Sequence, residues 1–289
     1  MTDTPNPPAL TPLVNTAPRT ACLQGEPGSG KSMMAVKTAV HQPVHAIDVD
    51  RKLHSAGWAQ PWLSAGKLTV WPLNAQLDRS NLKDAIAALV AKEKPRLAPQ
   101  GWSQLAELTY RLATDPVALA AGTWLVDSLT LANEHLKEHI MFLANKGKFA
   151  WDQWNALKIG WMGWFSVARD LAIEHHKDLI VTVHERTVGE VGDRVTGVKT
   201  ETVASPTEGI SQVRTFQGIQ DVGIIASIDG AFGQLIGAQT DEYYHLKVKM
   251  EGGKPKWICR IHPDGQRNLR TSFIHEQSEF EPDFRKIWK

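Results

Sequence analysis

Two apolar patterns alternate along the chain. Short runs that are apolar at nearly every position predict strands buried on both faces: "TACLQ" (20–24), "VHAIDVD" (44–50), "KLTVWPL" (67–73), "GTWLVDS" (122–128) and "DLIVTVHE" (178–185). Between them stand segments with helical spacing at 30–41, 81–93, 102–113, 129–144 and 151–177. Fully apolar strands separated by helices predict an α/β fold, a mainly parallel sheet with helices on both faces. The pattern changes near Thr187. Residues 187–229 are rich in Gly, Thr and Val, alternate over short stretches and lack a helix candidate, so they read as a long β-like loop or insertion. "EYYHLKVKM" and "KPKWICRIH" flank "EGGKP" and predict a β-hairpin, which makes the C-terminal extension β-rich.

These patterns divide the chain. Residues 1–19 carry five prolines and scattered Thr and Asn, and read as a flexible tail. Residues 20–272 read as one folded domain and 273–289 as a polar C-terminal tail. There is no internal repeat.

Composition adds exclusions. A net charge of +1 over 289 residues leaves no global cationic field for nucleic acid, so any such contact must be a local patch. Two cysteines, Cys22 and Cys259, form neither a disulfide framework nor a zinc set, which fits a reducing cytoplasm. No apolar run has the length needed to span a membrane. The first residues lack the basic-then-apolar order of a signal peptide.

One stretch carries explicit chemistry. "GEPGSGKS" (25–32) fits G-x-x-x-x-G-K-[ST] and joins a predicted strand to a predicted helix, as that motif requires. Gly25, Glu26, Pro27, Gly28, Ser29, Gly30, Lys31 and Ser32 then form a phosphate loop. Its glycines let backbone N–H groups turn inward, Lys31 reaches the phosphates and the Ser32 hydroxyl ligates Mg²⁺. A magnesium-nucleotide site also needs an acid on a neighbouring strand, and Asp127 closes "TWLVD" in the right place. The next residue is Ser128, so a catalytic base must come from elsewhere. Asp48 and Asp50 in "AIDVDRKL" offer it at the end of the second strand. Asp50, nearer the strand end, is the candidate that would orient and deprotonate water, whereas a helix cap is the structural alternative. His184 stands at the tip of "LIVTVHE", where a polar side chain could sense the terminal phosphate. "HLKEH" (135–139) matches an inverted zinc-protease pattern, but no third ligand accompanies it and it reads as a helix face.

Together "GEPGSGKS", "AIDVDRKL", "TWLVDSLTLA" and "LIVTVHERT" resemble the RecA-like P-loop ATPases, above all their phage-encoded NTP-binding branch linked to single-strand annealing and recombination. The chain departs from the family in having Asp50 in place of a glutamate and His184 in place of a glutamine. The resemblance implies a RecA-like core that binds ATP and Mg²⁺ and hydrolyses ATP. It further implies single-stranded DNA as partner, assembly into a homo-oligomeric ring or filament, and a place in the host cytoplasm. Two other classes stay open: a nucleotide-gated DNA-binding scaffold with little turnover, and a helicase-loader or packaging motor.

The family's mobile DNA loop would fall within 187–229. There Arg194, Lys199 and Arg214 face Glu190, Asp193, Glu201, Glu208, Asp221 and Asp229, a poor funnel for phosphates. Lys146, Lys148 and Trp151 in "ANKGKFAWDQWNALK" combine cations with an aromatic face and are the better DNA candidates. Against them, Trp151, Trp154, Trp161 and Trp164 fall within an arc of about 140° on a helix, which predicts core packing. Residues 243–270 hold seven basic residues against Glu251 and Asp264, the chain's clear basic patch. The resemblance lets Arg267 or Arg270 reach a neighbouring subunit's nucleotide.

Overall fold

The computed structural model describes residues 17–73, 99–145, 149, 152–187, 198–204, 211–217, 224–229, 232–263 and 269–288. The helix expected at 81–93 lies outside them, as does the N-terminal stretch up to residue 16.

The expected α/β architecture is present. β1 (Thr20–Gly25), β2 (Val44–Asp48), β3 (Leu68–Pro72), β4 (Thr123–Asp127) and β5 (Asp178–Thr187) pair in parallel, in the order β1-β5-β4-β2-β3. Every residue of β1, β2 and β4 is buried, which is why those strands read as unbroken apolar runs. Their side chains alternate between two cores. Cys22, Ile47, Val126 and Val181 face one side of the sheet, and Leu23, Ala46, Leu125 and Ile180 face the other.

The first side is covered by α3 (Gly101–Leu112), α5 (Leu129–Leu143), α6 (Gln153–Glu174) and α7 (Phe232–Gln239). The second side takes α1 (Lys31–Val36), which tightens into a 3₁₀ turn through Val40, and the C-terminal α8 (Phe284–Ile287). Two shorter helices, α2 (Gln60–Ser64) and α4 (Pro116–Ala120), complete the described set. The tryptophan arc is a packing face: Trp161 stacks on Phe232 at 5.5 Å and Trp164 donates to Thr109 at 3.0 Å, both deep in the first core. Trp154 is more exposed and meets Phe149 edge-on.

After β5 the chain is β-structured as expected. β6 (Val198–Ala204) and β7 (Ser211–Gln217) form a separate hairpin, and β8 (Ile224–Ala226) returns antiparallel to the end of β5. The predicted C-terminal hairpin is β9 (Glu242–Glu251) and β10 (Lys254–Arg260), turning on Gly252 and Gly253, both at positive φ. β9 lies parallel to β1 on its other side, so the hairpin starts beside the first strand.

One expectation about this end needs correction. Residues 273–288 are no loose tail: β11 (Glu279–Phe280) pairs with β10, and Phe284 and Ile287 are buried. The basic patch keeps most of its charge, but acids tie it down. Glu279, outside the stretch counted above, pairs with Lys247, Lys249 and Arg260, while Lys256 pairs with Glu251. Those cations, Lys247 foremost, hold the Glu279 carboxyl down at about 2.

A buried histidine marks the sheet's far edge. His45 on β2 is fully buried, sits edge-on to Trp71 at 4.0 Å, and neither ring nitrogen has a hydrogen-bond partner among the described residues. Burial lowers its pKa to about 4; Asp115 opposes this and Arg111 adds to it. The folded state therefore refuses a proton that the unfolded chain accepts. This costs nothing above the ordinary histidine pKa near 6.5, and stability falls as pH drops from there towards 4, by about 3 kcal/mol in full. His45→Leu should remove this acid-side loss. Urea unfolding of both proteins at pH 7.5 and pH 4.5 checks it: the difference between them should shift towards the variant at low pH.

Candidate functional site

The phosphate loop lies at the C-terminal edge of the sheet, between β1 and α1. Two of its glycines have physical reasons. A Cβ on Gly25 would stand 2.2 Å from the Leu246 carbonyl oxygen, because β9 passes close alongside. Gly30 has φ +91°, a left-handed conformation that side chains resist. Pro27, Gly28, Gly30, Lys31 and Ser32 line a cleft of about 380 Å³, which also takes in Asp50, Asp127 and His184. Gly25 ends β1 beneath it, Ser29 is buried within the loop, and Glu26 contributes its backbone. Residues far apart in sequence thus meet in one cleft.

Lys31 is 5% exposed and folds back onto its own loop. Its ammonium donates to the carbonyls of Gly25 (2.9 Å) and Glu26 (2.7 Å). Burial pushes its pKa down to about 8, against the pull of Asp127, Glu185 and Asp50. Asp127 is buried too. Thr182 donates to its carboxylate from β5, the strand between β4 and β1, and the Ser32 hydroxyl of the loop also favours its charged form. Burial nevertheless raises its pKa, helped by the charges of Asp50 and Asp48.

The backbone of this segment places Asp50. The Asp127 carbonyl accepts the N–H groups of Val49 (2.6 Å) and Asp50 (3.3 Å), and the Ser128 hydroxyl donates to the Asp50 carboxylate at 3.1 Å. The Asp127–Ser128 peptide is cis. Asp48 and Asp50 do not share a face. β2 ends at Asp48, and the chain then turns through Arg51 at φ +58°. Asp48 stays fully buried and accepts the N–H groups of Lys52 (3.1 Å) and Leu53 (2.7 Å), so it caps a turn, whereas Asp50 lines the cleft. The helix considered for that turn does not form.

His184 lies beside Gly25 in the β5–β1 register, and burial followed by the Lys31 charge lowers its pKa. Its N–H donates to Thr130 on α5 (2.8 Å), and its carbonyl accepts from Ser227 after β8 (2.6 Å). Asp229, two residues on, takes Asn133 and Lys137 of α5 at 3.0 and 2.8 Å. Among the other candidates, Arg270 is exposed, bridges its backbone to Tyr243 and does not line the cleft. Arg267, Lys146, Lys148 and Trp151 lie outside the described residues. Among the described residues no cluster of three His, Cys, Asp or Glu could hold a metal, so the His135–His139 pattern gathers no third ligand.

Sequence reasoning missed the cleft's apolar wall: Met33, Leu53, Ala56, Trp58 and Trp257. Trp58 follows the turn that Asp48 caps, and Trp257 comes from β10. No periodic pattern marks either of them, because the fold alone brings them to the loop.

No protein-family model matches the sequence, and no curated protein matches it significantly. Among solved structures the chain is similar to a KaiC-like protein from the hyperthermophilic archaeon Pyrococcus horikoshii OT3, with 14% identity over 89% of this chain and 83% of that one and a TM-score of 0.42. It is also similar to the flagellar accessory protein FlaH from Methanocaldococcus jannaschii, with 11% identity over 91% of this chain and 84% of that one and a TM-score of 0.38.

Thr182→Val keeps the side chain's shape but takes one hydroxyl donor from a fully buried carboxylate. Chemical denaturation at pH 7.5 should show a loss of about 1–3 kcal/mol, whereas the same change at an exposed strand position should leave stability near wild type.

Proposed function

We propose that this cleft binds Mg·ATP and that the chain hydrolyses it. The observation that carries the reading is the meeting of Lys31, Ser32 and Asp127 in one cleft, where the Ser32 hydroxyl favours the charged form of the Asp127 carboxylate. Hydroxyl and carboxylate oxygens suit a hard cation such as Mg²⁺. Burial, and after it the charges of Asp50 and Asp48, raise the pKa of Asp127, and positive charge at that spot would favour its ionised form. Ser32 and Asp127 would hold the ion, which when bound neutralises phosphate charge.

The chain's own residues divide the rest. Lys31 exchanges the Gly25 and Glu26 carbonyls for phosphate oxygens. Asp50, fixed by Ser128 and by the Asp127 carbonyl, orients the attacking water and accepts its proton. His184 faces the same cleft, and its backbone ties to α5 and to the β8 connection offer a path by which loss of the terminal phosphate reaches the segment after β5. Trp58 and the apolar side chains beside it suit the face of a nucleobase.

Coupling of this cycle to single-stranded DNA, in the phage-type recombination or annealing setting, is supported by the sequence resemblance alone. So are homo-oligomeric assembly and a reach by Arg267 or Arg270 into a neighbour's site.

Calorimetry with Mg·ATP and assays of phosphate release test the reading. Lys31→Ala should weaken ATP binding about a hundredfold, the scale of lost charge-assisted hydrogen bonds. Asp50→Asn should keep affinity within about threefold and lower turnover by about a hundredfold or more. Release rates with and without single-stranded DNA at fixed salt decide the coupling. ATP-dependent DNA retention without turnover would favour the scaffold instead.

A further inference from the structure

The phosphate loop is gripped from outside by one residue of the C-terminal hairpin. The Trp257 indole N–H donates to the Gly28 carbonyl at 3.3 Å, and its Cδ1 lies 3.0 Å from where a Cβ on Gly30 would stand. The other end of the same peptide is also held, since the Ser29 N–H donates to the Glu26 carbonyl at 3.2 Å. That carbonyl in turn accepts the Lys31 ammonium at 2.7 Å. A chain of hydrogen bonds thus runs from the hairpin through the Gly28–Ser29 peptide to the lysine. Gly28 itself is exposed, has φ +79°, and nothing lies within 4 Å of where a Cβ on it would stand, so no packing against that position orients it.

The hairpin is built to deliver this contact. β9 runs beside β1 with Leu246 opposite Gly25, and Val248, two residues on, is the cross-strand partner of Trp257. The indole therefore lands on the loop by register. Glu279, clamped to Lys247, Lys249 and Arg260, stiffens the ribbon. Trp257 stays 38% exposed, and Val248 and Met250 on the same face stay exposed as well, so the residue is not a core anchor.

We propose that Trp257 is a positioning residue for phosphate binding: its indole N–H and ring fix the Gly28–Ser29 peptide, and through it the loop that receives the terminal phosphates. This rests on the reading of the cleft as a nucleotide site. It differs from a contact with the base, because it concerns the loop and acts on any ligand the loop holds.

The experiment uses the full chain, with Mg·tripolyphosphate and Mg·ATP as separate ligands in calorimetry, for wild type, Trp257→Phe and Trp257→Ala. Trp257→Phe removes the donor and keeps a ring on Gly30. It should weaken both ligands alike, by about fivefold, the scale of one neutral hydrogen bond. Trp257→Ala should weaken both further and again equally. Tripolyphosphate should also change the wild-type tryptophan emission, and that change should be absent in Trp257→Phe, with thermal unfolding of the variants close to wild type. Unchanged tripolyphosphate affinity in both variants overturns the proposal, even if ATP affinity falls, because that pattern means stacking on the base alone. A wild type that binds neither ligand overturns the nucleotide reading and this inference together. Normal wild-type binding with unaffected variants overturns only this inference.

Discussion

The site depends on one buried carboxylate. Asp127 sits where three parts of the chain meet: the loop that carries Ser32, the intervening strand through Thr182, and the turn after β2 through its own carbonyl. The last two links are hydrogen bonds to a buried residue, where an unmatched partner is costly. Geometry follows from that. β4 is separated from β1 by β5, so the loop and the acid cannot touch through adjacent strands. Thr182 fills the gap and fixes the spacing, and Ser128 and the Asp127 carbonyl carry the order on to Asp50.

The same packing leaves the cleft electrically uneasy. Asp127 has a raised pKa, chiefly through burial, and Lys31 has a lowered one for the same reason. Both charge types are disfavoured within one small volume, which is what a site looks like when it is preorganised for a ligand rather than for its own stability. Lys31 eases the strain by leaning on the Gly25 and Glu26 carbonyls. On the proposed reading, a phosphate displaces those bonds.

The sequence showed what is local or strictly periodic. Strands buried on both faces must be apolar throughout, so β1, β2, β4 and β5 stood out within a residue or two at most ends. The loop stood out because its glycines and lysine are contiguous. Long-range partners were hidden. Thr182 looks like any strand threonine until β4 lies beside it. Glu279 falls outside the basic stretch, so nothing in that window shows that one carboxylate gathers three of its cations. The C-terminal residues looked like a polar tail because only Phe284, Ile287 and a few neighbours enter the core, too few for a periodic signal. Asp48 and Asp50 were close in sequence, and the turn that separates their roles begins one residue after the strand ends.

The place of the hairpin follows from the sheet order. Had β9 paired antiparallel to β1, its onward end would point away from the loop. Paired parallel, it leaves the sheet at the same edge as Gly25, and the ribbon it begins must pass the phosphate loop. On the far side of β1, His184 leaves β5 at that edge as well, with its carbonyl bound to Ser227 and the nearby Asp229 bound to α5. The loop is therefore flanked by two β-structured excursions, one on each neighbouring strand, and each is tied to it by a short path of named contacts. α1 begins within the loop itself at Lys31, so the loop is held by its own helix, by the β9–β10 ribbon through Trp257 and by β5 through the register that sets His184 beside Gly25.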